Sequence, residues 1–434
     1  MSYPMSDPTS DPISRRNLVK AATVAAAPAF IPSLSAANEV PFGFIGAGGR
    51  GYYLMERLFV GSGKNVRVLG VCDTYENNRN RGKDRVQTMG KNTPATYNDF
   101  NELLANRDIE TVVIATPEHL HFQMTIAALK AGKNIYIEKP LAHTIEEGEE
   151  ILRVAKQAGK KVQVGTQNRS NSIYGMAKLM VQQGMIGDCH YVRAFWYRNA
   201  LPGGAPAWRY TIPKESTEQN TDWSRFLGSA NKRSFDKPRY FQWRLYWDYS
   251  GGISTDLLVH QTDITNFVLG KSMPHSCMAS GGIYRWVEDD REVPDTMSAL
   301  YDYDDKFHLN YSCYLGNDQY GYGEQFCGDE GTIEVVNRST LTYTPQKFGG
   351  SPPAHLAQKL STRKEMKIDL PGNDNLAVEA HLRNLVEAVQ GKATLVAPPE
   401  VGQQAAIPGH MATLSIRNNK RVVWDDKTRK VSFT

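Results

Sequence analysis

Cysteine is scarce: the 434 residues hold five, Cys72, Cys189, Cys277, Cys313 and Cys327, scattered along the chain and never spaced as C-x-x-C. That excludes a disulfide scaffold and a zinc site of paired cysteines. Charge of one sign is lacking too, since 50 Lys and Arg offset 46 Asp and Glu to a formal net charge of +4. With the basic residues spread along the chain, no stripe of the kind that binds nucleic acid forms, and nucleic acid is excluded as a partner. No stretch approaches the roughly 18 to 20 apolar residues of a spanning helix, so no membrane span and a soluble mature protein are expected. What remains is an ordinary globular composition, 41% hydrophobic and 22% charged. The chain is longer than one core usually supports, so two domains are expected.

The N-terminus reads as an address. Ser14-Arg15-Arg16-Asn17-Leu18-Val19-Lys20 resembles the twin-arginine export signal, residues 21–31 form a short alanine-rich apolar run, and Ser35-Ala36-Ala37 offers small residues for cleavage. Residues 1–37 are therefore expected to be a signal peptide, and the mature protein periplasmic or secreted. This route carries folded proteins, which suits a chain that must acquire a cytoplasmic cofactor before leaving.

From residue 38 to 165, apolar runs at 40–45, 66–71, 111–115, 134–137 and 161–164 alternate with helical patterns. Strands apolar on both faces fit a parallel sheet covered by helices on each side, a doubly wound α/β domain. Helices are expected at 119–131 and 144–158, ended by Gly132 and Gly159. Beyond 165 the rhythm changes. Helices are expected near 173–183, 256–269 and 376–389, and between 276 and 344 short β runs follow one another without helices. Residues 166–434 are thus expected to form an α+β domain with a large, mostly antiparallel, open sheet, which makes a homo-oligomer the expectation.

Gly46-Ala47-Gly48-Gly49-Arg50-Gly51 follows the first strand and opens a helix. In that setting the first glycine permits the tight turn, the second lets the backbone approach a pyrophosphate, and the third lets helix pack on strand. The anion then rests on the helix N-terminus. Asp73 ends the next strand, where a carboxylate would accept hydrogen bonds from the adenosine ribose and repel a 2′-phosphate. A dinucleotide cofactor follows, with NAD favoured over NADP despite the nearby Arg79 and Arg81.

Taken in order, Gly46 to Gly51, Ala115-Thr116-Pro117-Glu118-His119-Leu120-His121, Glu138-Lys139-Pro140, and Gly251-Gly252 with Asp256 and His260 resemble the Gfo/Idh/MocA family of glucose-fructose oxidoreductase and inositol dehydrogenase. The resemblance runs from about residue 40 to 270. It implies an NAD-dependent oxidoreductase that moves a hydride between cofactor and a hydroxyl or carbonyl of a sugar, glycoside or polyol. Such chemistry needs a base for the hydroxyl proton and a cation for the developing alkoxide. Lys139, directly after an apolar strand, is expected to supply the cation. His260 is assigned as general base and Asp256, four residues earlier on the expected helix, as its supporting carboxylate. By the same resemblance Arg50, Thr116, Pro117, His121, Glu138, Lys139 and Gln167 join the glycines and Asp73 around the cofactor. His119 and His121 lack further ligands, so no metal is expected.

Residues 196–249 interleave Trp208, Trp223, Tyr240, Phe241, Trp243, Tyr246 and Trp247 with four arginines. Aromatic faces stack on sugar rings and arginines bond hydroxyl or carboxylate groups, while aromatics this dense also pack domain junctions. Arg169, Trp243 and Arg244 are the candidate substrate contacts. Two other readings remain. One is an NAD-dependent glycoside hydrolase or lyase that oxidises a ring hydroxyl transiently; exported relatives of that kind carry Tyr-Pro-Thr-His where this chain has Ile253-Ser254-Thr255-Asp256. The other is a non-catalytic sugar-binding protein, against which Lys139, Asp256 and His260 together argue.

Overall fold

The computed structural model describes residues 39–201, 203–370 and 372–434. The expected export signal lies outside them.

Six strands, β1 (Val40–Ile45), β2 (Val66–Cys72), β3 (Ala95–Tyr97), β4 (Thr111–Ile114), β5 (Asn134–Ile137) and β6 (Val162–Val164), form one parallel sheet in the order β3-β2-β1-β4-β5-β6. This is the doubly wound order, with its switch between β1 and β4. β4, β5 and β6 are buried at every position, as strands covered on both faces must be. β3 escapes the apolar pattern because its three residues lie at the sheet edge, none of them buried. The helix expected at 144–158 runs over Ile145–Ala158. Thr144 accepts from the Glu147 N–H at its start, and Gly159, at φ 63°, ends it.

The second sheet has ten strands: β7 (Cys189–Tyr197), β8 (Ser276–Gly282), β9 (Thr296–Tyr303), β10 (Phe307–Tyr314), β11 (Tyr322–Gly328), β12 (Gly331–Val336), β13 (Thr340–Pro345), β14 (Met366–Asp369), β15 (Val422–Asp425) and β16 (Lys430–Phe433). β7 and β10 pair in parallel, and every other pair is antiparallel. Strict alternation in β10, buried at every second residue, marks one face turned to the core. The long helices Val259–Leu269 and Pro399–Asn418 contribute Ile264, Val268, Ile407 and Met411 to that core.

The first sheet also draws cover from beyond residue 165. The helix Asn373–Val389, assigned by sequence to the second domain, puts Val378, Leu382, Leu385 and Val386 into the core beneath the first sheet with Phe42, Val68 and Val113. Ala397 O also accepts from Val164 N of β6. An amphipathic pattern announces an apolar face without saying which sheet will cover it. Beyond β7, which ends at Tyr197, the described residues of the aromatic stretch form no further strand. Trp208 and Tyr249 are fully buried, and Tyr240 and Phe241 pack edge-on against Tyr75 of the first domain. Tyr240 and Phe241 therefore serve the junction, while Trp208, Trp223 and Tyr246 fill the core of the second domain.

Candidate active site

The carboxyl ends of β1, β2, β4 and β5 open onto a cleft of about 700 Å³ whose opposite wall comes from the second domain. Gly46 sits at φ 91°, where a side chain is strained, and a Cβ there would come 2.6 Å from Ala115 O. At Gly51 a Cβ would lie 1.9 Å from Gly46 O, so the helix Gly49–Ser62 can pack on the turn only with glycine. Gly48 and Gly49 differ. A Cβ at Gly48 meets nothing nearer than Asn78 Nδ2 at 3.8 Å, and one at Gly49 meets nothing within 4 Å. The space above the helix N-terminus is open, as a pyrophosphate requires, so the turn fits a dinucleotide.

Asp73 lines this cleft, but its carboxylate is engaged by the protein. Oδ2 accepts from Ala47 N at 2.7 Å and Oδ1 from Tyr75 N at 2.8 Å. It fixes the glycine turn to the end of β2 as well as facing the position expected for the ribose. Burial pushes its carboxyl up, against the pull of those N–H bonds. Arg79 donates to Asp73 O and Asn98, and Arg81 to Ala47 O. Both arginines thus brace the backbone of the site.

Arg50 reaches across from the helix start to Glu138 Oε1 at 2.8 Å and Gln167 Oε1 at 3.3 Å, tying together three segments that border the cofactor space. Thr116 and Pro117 line the cleft. His121 lines it too, but its ring nitrogens face the carbonyl oxygens of Pro140, 2.7 Å, and Thr116, 3.1 Å. It is a strut between two loops rather than a free donor. His119 is buried with Nε2 against Phe226 O at 2.8 Å, and burial drives its pKa down to about 3.

At the inner end Lys139 Nζ donates to Asp256 O at 2.6 Å and Asp256 Oδ1 at 2.8 Å, and Arg244 Nε reaches the same Oδ1 at 3.2 Å. Burial alone would raise the Asp256 carboxyl; the charges of Arg244 and Lys139 win and hold it well below the carboxylate range. Asp256 is thus the partner of Lys139. It makes no hydrogen bond to His260 among the described residues, so its expected support of that imidazole comes through charge alone, the carboxylate pulling the His260 pKa up against the larger lowering by burial and by Lys139 and Arg338. Asp256 lies in a π-helical turn, Ser254–Leu258, ahead of the α-helix Val259–Leu269 that carries His260, and both side chains line the cleft. His260 lines the cleft beside Trp196, ring centroids 5.9 Å apart. Burial, then the charges of Lys139 and Arg338, hold its pKa well below that of a free imidazole, and its Nδ1 finds no protein partner among the described residues.

Trp243 and Arg244 line the cleft, with the guanidinium 4.3 Å from the indole centroid. Arg169 does not. It turns away to a buried ion pair with Asp263, 2.7 Å, and stacks near Phe267, so its assignment as a substrate contact is corrected. Residue type announced a cation, but its carboxylate partner lies 94 positions along the chain.

Sequence reasoning missed Glu118, Trp196, Arg198 and Tyr210 on the cleft wall. Glu118 is almost fully buried; it accepts from Gly251 N and, at 3.0 Å, from Thr255 Oγ1, and it lies 3.8 Å from His143 Nδ1. It fastens the first domain to the start of the π-turn. Its place inside the Thr116-Pro117-Glu118 run was the available signal.

Two family models match. Residues 40–166 fit the Gfo/Idh/MocA model described as "Oxidoreductase family, NAD-binding Rossmann fold", and 227–423 fit the model of that family's C-terminal alpha/beta domain. Among curated proteins, a glycosyl hydrolase family 109 protein of Shewanella baltica is 32% identical over 159 residues, 35% of this chain and 33% of that protein. An alpha-N-acetylgalactosaminidase of Shewanella oneidensis is 34% identical over 157 residues, 34% of this chain and 33% of that protein. The matches therefore span about a third of those relatives' own length. Among solved structures, levoglucosan dehydrogenase in complex with NADH and levoglucosan aligns with a TM-score of 0.65 at 18% identity, covering 89% of this chain and 99% of that one. The WlbA dehydrogenase from Bordetella pertussis, in complex with NADH and UDP-GlcNAcA, aligns with a TM-score of 0.66 at 18% identity, covering 90% and 99%. At such identity these structures share the fold. With both domain models matched in order along one chain, the protein belongs to the Gfo/Idh/MocA oxidoreductase family and carries that family's NAD-binding Rossmann fold.

Proposed function

We propose that the chain oxidises or reduces a hydroxyl-bearing carbon of a sugar, glycoside or polyol at the inner end of the cleft. The observation that carries this reading is the contact of Lys139 with Asp256 on a wall shared with His260, at the end of the groove that begins at Gly48. A bound NAD supplies the nicotinamide carbon that exchanges a hydride with the substrate. Two of the three ammonium N–H bonds of Lys139 are held by Asp256, which fixes the direction of the third. That third N–H donates to the substrate oxygen and stabilises alkoxide as the hydroxyl proton leaves. His260, kept neutral by its surroundings, accepts that proton. Trp243 supplies an aromatic face for the sugar ring and Arg244 donates to the same Asp256 oxygen that Lys139 holds.

Residues 1–37 support export by the twin-arginine route. Outside the cytoplasm no nicotinamide pool exists, so the cofactor stays bound and is returned to its starting state by a second carbonyl substrate. A homo-oligomer is proposed as well, supported by the exposed Met278 and Leu300 on the ten-stranded sheet. The test of the main reading is to denature the purified protein, identify the released dinucleotide, and screen sugars for a change in the reduced-nicotinamide band of the intact protein. Failure of every sugar to change that band overturns it.

The curated relatives favour one alternative, in which the hydride returns to the same sugar after elimination of its aglycone. Release of aglycone from aryl glycosides without added NAD would select that alternative.

A further inference from the structure

A second cavity, of about 350 Å³, shares a wall with the main cleft: Trp196 and Arg198 line both. Its walls carry two guanidinium groups. Arg198 follows the end of β7 and lies 5.4 Å from the Trp196 ring centroid. Arg338 lies 5.0 Å from the same ring and 4.2 Å from that of Tyr322. Trp196 is therefore flanked by two cations, and its ring is also the neighbour of His260.

Neither cation is fully neutralised from within. Arg198 makes no side-chain hydrogen bond or ion pair with a described residue. Arg338 donates from Nη1 to Asp374 at 3.3 Å, a carboxylate 54% exposed, while its Nε is buried with no partner among the described residues. Asp374 is not on the cavity wall, and the carboxylate that is, Asp318, is exposed to solvent, where water screens it. The backbone presents Arg338 at some cost: it and Asn337 form the turn between β12 and β13 at φ 57° and 50°, a region that non-glycine residues seldom occupy. A guanidinium buried beside an aromatic ring, with an N–H left over, binds planar or tetrahedral oxyanions through charge-assisted hydrogen bonds.

We infer that the substrate carries an anionic group, a carboxylate or a sulfate ester, which seats between Arg198 and Arg338 while the reacting hydroxyl faces Lys139 and His260. This inference deepens the reading given under Proposed function and rests on it. It narrows the substrate class from sugars at large to acidic glycosides.

The test uses the full purified chain with whatever dinucleotide it carries. Calorimetric titration compares matched methyl glycosides of the gluco and galacto series in three forms: neutral, uronate and 6-sulfate. The nicotinamide band of the same samples reports turnover. At least one anionic form is expected to bind about tenfold or more tightly than its neutral partner, and the choice between uronate and sulfate identifies the anion. Arg198→Gln and Arg338→Gln each lower that preference several-fold, and Arg198→Lys retains part of it. Rising salt should erode the preference in the parent protein, a readout that needs no variant.

Equal or weaker binding of both anionic forms overturns the inference, and oxidation of the neutral glycoside in that case leaves the oxidoreductase reading standing. An unchanged preference in Arg198→Gln also overturns it. Selective binding of an anionic form with no change in the nicotinamide band has the opposite meaning: the acidic-glycoside site holds and the oxidoreductase reading falls.

Discussion

Lys139 Nζ lies 2.8 Å from Asp256 Oδ1, and Asp256 is held ionised by that contact and by Arg244 at 3.2 Å. One carboxylate thus sets the direction of one ammonium and offsets two cations that would otherwise repel each other. Asp256→Asn removes the charge and keeps the shape. Turnover is expected to fall about 10²- to 10³-fold, while dinucleotide retention after gel filtration changes little. Loss of the dinucleotide with the same severity would mean that Asp256 shapes the cofactor site instead.

The glycines of the turn should separate by consequence. Gly51→Ala sets a Cβ 1.9 Å from backbone and is expected to destabilise the fold by a few kcal/mol. Gly48→Ala meets only a side-chain nitrogen at 3.8 Å, so, with both proteins stripped of dinucleotide, its unfolding free energy should stay within about 0.5 kcal/mol of the parent. Dinucleotide retention should nevertheless drop, because the methyl group occupies the space left for phosphate. Thermal unfolding and dinucleotide content, measured on both variants, check the contrast.

Arg169 and Asp263 form a buried pair, 13% and 1% exposed. Arg169→Ala strands the carboxylate and should cost about 3–5 kcal/mol of stability where Asp263 is ionised. Burial already lifts Asp263 to about 6 against the pull of Arg169, and removing the arginine lifts it further. The penalty should therefore be smaller in acid, where the carboxyl is protonated, and larger above that midpoint. A loss of substrate affinity with unchanged melting temperature would instead restore Arg169 to the substrate.

Glu324 is fully buried on β11 with Tyr174 donating to it at 2.9 Å, and burial raises its carboxyl from 4.5 to about 7. The folded state holds this proton more tightly than the unfolded chain does. Its stabilising effect is therefore complete below 4.5 and is lost as pH rises through about 7. Glu324→Gln has no proton to lose, so its melting temperature relative to the parent should climb across that window. A difference that does not vary with pH would contradict the assignment.

Much of this arrangement was legible from residues alone, for physical reasons. β1, β4 and β5 are apolar on both faces because helices cover them twice, and the glycine spacing reports a turn that tolerates no side chain. Lys139 and His260 stand where strand-end and helix positions put them. The errors share a cause as well. Asp256 bonds Lys139 and Arg244, and Arg169 bonds Asp263, partners 117, 12 and 94 positions away that local spacing does not announce. Glu118 and Arg198 were passed over since burial and shared cavity walls arise only when the two domains meet.

The most direct test of the central claim mixes the purified chain, carrying its own dinucleotide, with a glycoside that alters the nicotinamide band, and follows a single turnover for the parent and for His260→Ala across neutral to alkaline pH. The expected result is a parent reaction at constant rate through neutrality and a variant slowed about 10²- to 10⁴-fold with dinucleotide content unchanged. A variant that turns over at the parental rate with the same pH profile would contradict the account.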